Sequence, residues 1–210
     1  MKTREELIKS YSLLAEAYAQ RYCDELSRKP FDRELLERFI LSVPTGSPVC
    51  DLGCGPGHLA DHLSSLGVHA FGMDLSPSMI AIAQKRYPSN DYVVGDMLRM
   101  ELPDESLGGI VAFYSMIHLK RQEVFPAVRE MARVLVPGGG LLVAFHRGAG
   151  TLHEEEELGH PVSFDCTLFE PEEISSAMEE VDFRLEEVTV REPYDFEYPT
   201  TRVYVWGKKP

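Results

Sequence analysis

Short apolar segments alternate with amphipathic helical segments through the middle of the chain. The apolar segments predict five strands, at residues 49–52, 70–73, 92–94, 109–113 and 141–145. Between them, helical patterns are predicted to begin near Leu59, Pro77 and Arg121. Strands that alternate with helices run in the same direction, so this pattern predicts an α/β fold with a parallel sheet and helices on both faces.

The flanking segments add further elements at both ends. Apolar residues at positions 7, 11, 14, 15 and 18 recur at helical spacing and predict an amphipathic N-terminal helix. Two more helices are predicted at 34–41 and 171–181, and two more strands at 184–191 and 202–206. Residues 147–170 combine glycines, a proline and the acidic run from Glu154 to Glu157, which predicts an irregular excursion.

Composition indicates a single soluble domain, because 44% of the 210 residues are hydrophobic and 26% are charged. The N-terminal residues lack the apolar core of a signal peptide, and the longest apolar stretches are too short to span a bilayer. The four cysteines form no C-x-x-C pair, so we predict neither a disulfide nor a metal site. We therefore predict a cytoplasmic location.

The formal net charge of −13 is concentrated in one part of the chain. Residues 151–190 contain thirteen acidic residues and one basic residue, Arg184. Such a surface repels phosphate backbones and anionic membranes, so we predict no nucleic-acid partner and no membrane partner. The alternative is a solvated acidic face that only aids solubility.

The strongest local signal is the glycine-rich segment V-C-D-L-G-C-G-P-G-H at residues 49–58. Gly53, Gly55 and Gly57 connect a predicted strand to a predicted helix and permit a tight turn close to a ligand. A nicotinamide dehydrogenase would have a glycine at position 58, where this chain has His58. Asp51 would also repel a pyrophosphate at this loop and would attract a cation. S-adenosylmethionine fits, because it has an ammonium and a sulfonium and no phosphate.

Two further carboxylates follow the next two predicted strands. Asp74 stands where a carboxylate accepts hydrogen bonds from ribose hydroxyls, although it could instead cap the following helix in competition with Ser76. Asp96 stands where a carboxylate can accept from the adenine amino group, and Met97 can pack on the ring. Three carboxylates therefore occur at corresponding strand ends.

The chain resembles a class I S-adenosylmethionine-dependent methyltransferase of the small-molecule type. The resemblance is carried by residues 49–57, 71–74, 94–96, 109–118 and 135–145. It implies a Rossmann-like, doubly wound sheet of seven strands, mostly parallel with the last strand antiparallel. It also implies that S-adenosylmethionine lies across the strand ends.

The resemblance assigns the predicted contacts with this cofactor. Asp51 and the glycines hold the methionine end, Asp74 holds the ribose, and Asp96 with Met97 holds the adenine. The remaining predicted contacts are Leu75, Met79, Phe113 and Tyr114, together with Tyr11 and Tyr18 of a Tyr-x3-Ala-x2-Tyr helix. These two tyrosines have the alternative of being ordinary core residues.

We expect one methyltransferase domain over residues 1–210. Within it, residues 1–45 form an N-terminal helical cover, 46–146 the cofactor-binding core, 147–170 a candidate lid, and 171–210 a C-terminal helix and strands. The reaction is displacement at the sulfonium methyl, which needs alignment and exclusion of water more than acid–base catalysis. His118 and His146 are the candidates for a general base, and Phe164, Tyr194, Phe196 and Tyr198 for lining a substrate pocket.

The predicted function is methylation of a small molecule, neutral or cationic, for which residues 147–170 help to form a cover. RNA or protein methylation is the alternative within the enzyme class. Outside it, the alternatives are a non-catalytic S-adenosylmethionine-binding module and a nicotinamide oxidoreductase. The sequence leaves open the acceptor, the atom methylated, the use of a general base and the oligomeric state.

Overall fold

Nine strands and six α-helices make up the structure, a computed structural model that describes residues 2–210. The strands are β1 (Val49–Leu52), β2 (Ala70–Asp74), β3 (Asp91–Val94), β4 (Leu107–Phe113), β5 (Leu135–His146), β6 (Thr151–Glu157), β7 (His160–Thr167), β8 (Arg184–Arg191) and β9 (Arg202–Lys208). The α-helices are α1 (Arg4–Tyr22), α2 (Pro30–Ser42), α3 (His58–Ser65), α4 (Pro77–Arg86), α5 (Arg121–Val134) and α6 (Pro171–Glu179). Short 3-10 helices occur at Glu25–Arg28 and Met116–His118.

Seven of the strands form one sheet in the order β3-β2-β1-β4-β5-β9-β8. The pairs from β3 to β5 are parallel, whereas β9 is antiparallel to both β5 and β8. This topology confirms the predicted mostly parallel sheet with an antiparallel last strand. From β1 the chain adds β2 and β3 on one side, and it then crosses to β4 and adds β5 on the other side. The carboxyl ends of β1 and β4 therefore border a crevice.

The central strands are buried on both faces, as their continuous apolar sequences require. All four residues of β1 are buried, and only Phe113 of β4 is partly exposed. Helices α2 and α3 pack on one face around Leu36, Phe39 and Leu63. Helices α5 and α6 pack on the other face around Val128 and Ile174, so the predicted helices on both faces are confirmed.

Helix starts follow the local sequence signals. Helix α4 begins at Pro77, directly after Ser76, whose hydroxyl accepts a hydrogen bond from the Met79 amide at 3.4 Å. The α1 helix begins after Thr3, which forms a capping box with Glu6. The N-caps of α4 and α1 therefore satisfy backbone amide groups that would otherwise lack partners.

The prediction of an irregular excursion at 147–170 is wrong, because β6 and β7 form an antiparallel hairpin there. Its two-residue turn, Leu158–Gly159, has positive φ at both residues, as the right-handed twist of a tight hairpin favours. Val162 and Phe164 point from β7 into an apolar cluster with Leu14 of α1. The acidic run in β6 obscured this alternation, since a sequence with four consecutive glutamates shows no apolar face.

One strand also differs in extent from its prediction. Strand β5 begins at Leu135 rather than 141, because Leu135 pairs with Leu107 of β4 and the ladder resumes at Gly140 after an irregularity. Among residues 2–210, no helix is both long and apolar enough to cross a lipid bilayer.

Candidate functional site

A cavity of about 380 Å³ lies at the carboxyl ends of β1, β2 and β4. We call it the large cavity, and we call the elements that cover it, α1 and β7, the roof. Twelve of the predicted site residues line it: Tyr11, Tyr18, Gly53, Gly55, Asp74, Leu75, Met79, Asp96, Met97, Phe113, Tyr114 and His118. Asp51, Gly57 and His146 do not.

The glycine loop after β1 is shaped by close packing. Gly53 has φ +77°, and a Cβ there would lie 2.2 Å from the Cβ of Ser115. The Ser115 hydroxyl in turn donates to the Leu52 carbonyl at 2.7 Å, which fixes the loop against the end of β4. Gly57 has φ +87° and packs against Tyr92 and Ala83, so its requirement for glycine comes from helix–strand packing.

Asp74 is held by the backbone on either side of the large cavity. One carboxylate oxygen accepts from the Gly55 amide and the other from the Ser76 amide, both at 2.8 Å. Burial raises the pKa of Asp74. A carboxylate has about four acceptor positions, so two remain for a ligand diol. Ser76, rather than Asp74, caps α4 through its side chain.

Asp96 forms a contact that the sequence did not suggest. Arg4, in the first turn of α1, makes an ion pair with it at 2.6 Å, and the second carboxylate oxygen accepts from the Leu98 amide at 2.9 Å. Arg4 lines the large cavity beside Met97. The pairing depends on how α1 lies across the sheet edge, which no local motif indicates.

Asp51 lies on the other side of the glycine loop, in a separate cavity of about 60 Å³ that we call the small cavity. The residue is 1% exposed, and its Oδ2 has no hydrogen-bond partner among residues 2–210. Burial raises its pKa to about 8, with a smaller contribution from the neighbouring Asp74. An unpaired buried carboxylate oxygen is costly, and a cationic group would satisfy it.

His118 is fixed between the two parts of the roof. Its Nδ1 lies 3.1 Å from the Asp165 carbonyl of β7 and therefore donates to it. Its Nε2 lies 2.7 Å from the Tyr11 hydroxyl of α1 and accepts from it. Burial lowers the pKa of His118 to about 4, so the ring is neutral near pH 7. Phe164 stacks on Tyr11 with ring centroids 5.5 Å apart and completes this side of the large cavity.

His146 is not brought to either cavity. Its Nδ1 lies 2.7 Å from the Thr200 hydroxyl, and its ring packs on Tyr114. Burial, followed by the nearby cations Arg202 and Lys29, lowers its pKa to about 3. The residue ends β5 as predicted, but its ring packs on Tyr114 and Tyr198 and bonds to Thr200 in the segment before β9.

Of the four candidate pocket aromatics, only Phe164 lines the large cavity. Tyr194 and Phe196 stack on each other with their ring centroids 5.6 Å apart, and Tyr198 is 54% exposed.

Tyr114 is a predicted cofactor contact, but its backbone conformation was not indicated by the sequence. It lines both cavities and has φ +53°, a conformation that bulky residues rarely adopt. Its hydroxyl lies 3.2 Å from that of Tyr204, which donates to the buried Asp32. Such strain persists only where the surroundings hold it, and it is typical of functional sites.

The acidic residues of the C-terminal third separate into two groups. In α6 and β8, several of them pair with arginines, as in Glu173–Arg121 and Glu187–Arg38. The hairpin group lies by the roof, where Glu157 accepts from the Tyr22 hydroxyl at 3.4 Å. Within the described residues there is no group of three or more His, Cys, Asp or Glu side chains that could hold a metal ion.

The architecture defines a Rossmann-like protein with a ligand site at the carboxyl edge of its sheet. A solved methyltransferase from Methanosarcina mazei shares this fold, with a TM-score of 0.72 and 17% identity over 80% of this chain and 95% of that chain. Residues 49–139 match the family described as a methyltransferase domain.

Curated relatives are similar over part of their length. The malonyl-[acyl-carrier protein] O-methyltransferase of Yersinia pestis is 34% identical over 98 residues, which are 47% of this chain and 36% of that protein. The probable tRNA methyltransferase 9B of Homo sapiens is 32% identical over 123 residues, 58% of this chain and 26% of that protein. The chain thus spans well under half of these relatives. Over residues 49–139 the chain is thus similar to methyltransferase domains, and over most of its length it shares the fold of a solved methyltransferase.

Proposed function

We propose that the protein transfers the methyl group of S-adenosylmethionine to a neutral or cationic small molecule. The observation that carries this proposal is the enclosure of His118 and the strand-end carboxylates beneath one roof. Relatives alone leave the acceptor class open, since their names include a tRNA methyltransferase and an enzyme acting on an acyl-carrier protein.

The residues present fit the cofactor. Asp74 has two acceptor positions left for the ribose hydroxyls, and Asp96 with Met97 would hold the adenine, with Leu75 and Met79 beside them. The unpaired oxygen of Asp51 suits an ammonium group. When bound, S-adenosylmethionine supplies a methyl group on a positively charged sulfur, which is already activated for displacement.

The covered cavity favours a small acceptor. Its volume of about 380 Å³ must hold the acceptor together with the cofactor, which leaves little room for a large acceptor. Hydrogen bonds join the two parts of the roof. Ser10 of α1 bonds to Ser163 of β7, and the Lys2 amide donates to Asp165 of β7 at 2.6 Å. A base in a folded RNA would have to displace these contacts and then be extruded into the cavity.

Charge near the roof favours acceptors that are not anionic. Glutamates 154–157 lie on the hairpin, and Asp165 lines the large cavity. The acidic residues of α6 and β8 line neither cavity, and several of them are paired with arginines. The prediction that the acceptor is neutral or cationic therefore depends on the hairpin.

His118 and Tyr11 can remove a proton from an acceptor that must lose one. Tyr11 lines the cavity and donates to the neutral His118, so its oxygen can accept the acceptor's proton as its own proton moves to Nε2. The imidazolium that forms keeps its Nδ1 hydrogen bond to the Asp165 carbonyl. An acceptor that already has a free lone pair needs alignment only.

The test is a labelled-methyl assay with separate pools of cationic, neutral and anionic small molecules, and with tRNA, at about 0.05 M and 0.5 M salt. Label is expected in a neutral or cationic compound and not in tRNA. Asp74→Ala protein, with its folding verified, is the control for cofactor-dependent transfer. Labelling of tRNA or of polyanionic metabolites alone would refute the proposal.

A further inference from the structure

A series of three hydrogen-bonded side chains leads from the wall of both cavities to a buried carboxylate. The Tyr114 hydroxyl lies 3.2 Å from the Tyr204 hydroxyl, which in turn donates to Asp32 of α2. Tyr114 lines both cavities, whereas Tyr204 lines neither and is 1% exposed. The series therefore connects a surface that a ligand can touch with a group that solvent does not reach.

The carboxylate at the end of the series fixes the direction of its hydrogen bonds. Burial raises the pKa of Asp32, but the Tyr204 hydroxyl, Lys29 and Arg191 all oppose that rise and favour the ionised form. An ionised carboxylate can only accept, and a phenol has one hydrogen to donate. Tyr204, which donates to Asp32, must therefore accept from Tyr114. The Tyr114 hydrogen is thus committed, and its oxygen can offer a ligand only an acceptor position.

The order of the strand ends places Tyr114 beyond the expected nucleoside contacts. From one edge of the sheet the strands run β3, β2, β1 and β4, so Asp96, Asp74, the glycine loop and Tyr114 follow one another. A cofactor held by Asp96 at its adenine and by Asp74 at its ribose has its sulfonium on the Tyr114 side of Asp74. The molecule that receives the methyl group must approach that same end.

The charged groups around Tyr114 balance one another. Two cations, Lys29 and Arg202, lie 5.4 and 5.9 Å from the centre of its ring. Lys29 contacts Glu25 at 2.8 Å, and Arg202 lies 3.9 Å from Glu197. The whole cluster has equal numbers of acidic and basic side chains, which are Glu25, Asp32, Glu197, Lys29, Arg191 and Arg202. An anionic group therefore gains no net attraction here, whereas a hydrogen-bond donor gains the Tyr114 oxygen.

We propose that the Tyr114 oxygen accepts a hydrogen bond from an O–H or N–H group of the methyl acceptor. Tyr204 and Asp32 are positioning residues, because they hold the Tyr114 hydrogen away from the ligand. This inference rests on the proposed function and narrows it to acceptors that have such a donor in addition to any proton lost to Tyr11. No motif in the sequence marks Asp32 or Tyr204 for this role.

A labelled-methyl assay with paired compounds tests the requirement for a donor. The panel contains diols and amino alcohols, each with its mono-O-methyl ether, and diamines, each with its mono-N,N,N-trimethyl derivative. The second member of each pair lacks one donor. The wild-type protein is expected to have a kcat/KM at least tenfold higher for the member with the donor, because its partner leaves the Tyr114 oxygen unpaired.

Two near-isosteric variants assign this preference to the hydroxyl groups. Tyr114→Phe removes the accepting oxygen and is expected to reduce the preference to less than threefold. Tyr204→Phe frees the Tyr114 hydrogen to turn toward the ligand, so it should reduce the preference as much and should also raise kcat/KM for the ethers. Both should leave the affinity for S-adenosylhomocysteine within threefold. Tyr87→Phe, at the end of α4 and outside both cavities, is the matched control and should keep the wild-type preference.

A purely structural role for these hydroxyl groups would give a different result. It would lower kcat/KM by the same factor for both members of a pair, which would overturn the inference. An unchanged preference in folded Tyr204→Phe protein would overturn it as well. If Tyr204→Phe does not fold, Tyr114→Phe and the wild-type protein decide, since a wild-type preference below threefold refutes the donor requirement. Label in tRNA and in no member of the panel would contradict the proposed function itself, and the inference with it.

Discussion

The packing of Gly53 predicts a stability difference between two glycine substitutions with the same backbone strain. Gly53 and Gly46 have φ of +77° and +82°, so replacing either with alanine places a Cβ in the left-handed region. That strain costs about 1–2 kcal/mol. At Gly46 a Cβ meets nothing within 4 Å, whereas at Gly53 it would lie 2.2 Å from the Ser115 Cβ and 3.5 Å from its Cα.

Relief of this clash requires the loop or the start of the Met116–His118 turn to move, because the obstructing atoms are close to the backbone. Overpacking of this kind costs about 1–3 kcal/mol. We therefore expect Gly46→Ala to lower the free energy of unfolding by about 1–2 kcal/mol and Gly53→Ala by about 2–5 kcal/mol. Urea denaturation with matched m-values measures the difference. Equal losses in the two variants would show that the loop is not packed on Ser115 as described.

Three further outcomes follow from the site. Asp74→Ala should weaken S-adenosylhomocysteine by about 1.5–3 kcal/mol in calorimetry, because hydrogen bonds to a charged acceptor are lost; an unchanged dissociation constant in folded protein would contradict the ribose assignment. Burial raises the pKa of Asp51 to about 8 from an unfolded value of about 4, so the ligand-free protein should lose stability as pH rises between these values, by at most about 1.4 kcal/mol per pH unit. Asp51→Asn should flatten that part of the stability profile, and an unchanged slope would show that Asp51 is not the group responsible. Tyr11→Phe should reduce methyl transfer to acceptors that lose a proton while leaving the affinity for S-adenosylhomocysteine within about tenfold, since a single hydrogen bond contributes about 0.5–1.5 kcal/mol; equal loss with acceptors that have a free lone pair would contradict the proton-transfer role.

The sheet and the strand-end carboxylates could be predicted from the sequence because both depend on local patterns. A buried parallel strand is a short apolar run, and the residue after it must lie at the ligand edge, which is how Asp74 and Asp96 were located. His146 shows where this reasoning fails. It too ends a strand, but its side chain is held by Thr200 and Tyr198 from the segment before β9, which no local pattern indicates.

Contacts between distant segments could not be predicted in this way. Arg4 acquires its partner only when α1 crosses the end of β3, and Lys29 acquires its surroundings from a 3-10 turn and from Glu197 near the far end of the chain. The hairpin was missed because its apolar alternation is confined to β7. In each case the determining contact is tertiary, and single-sequence patterns report mainly local geometry.

The position of His118 between α1 and β7 links ligand binding to the mobility of the roof. A ligand group that takes the place of the Tyr11 hydroxyl on Nε2 removes one of the bonds joining α1 to the sheet edge. Thermodynamic linkage is reciprocal, so any change that loosens the roof must alter affinity by the same factor that the ligand alters roof opening. Ser10, whose hydroxyl accepts from the Ser163 amide at 2.9 Å outside both cavities, is therefore a place where affinity can be altered without touching the bound molecule.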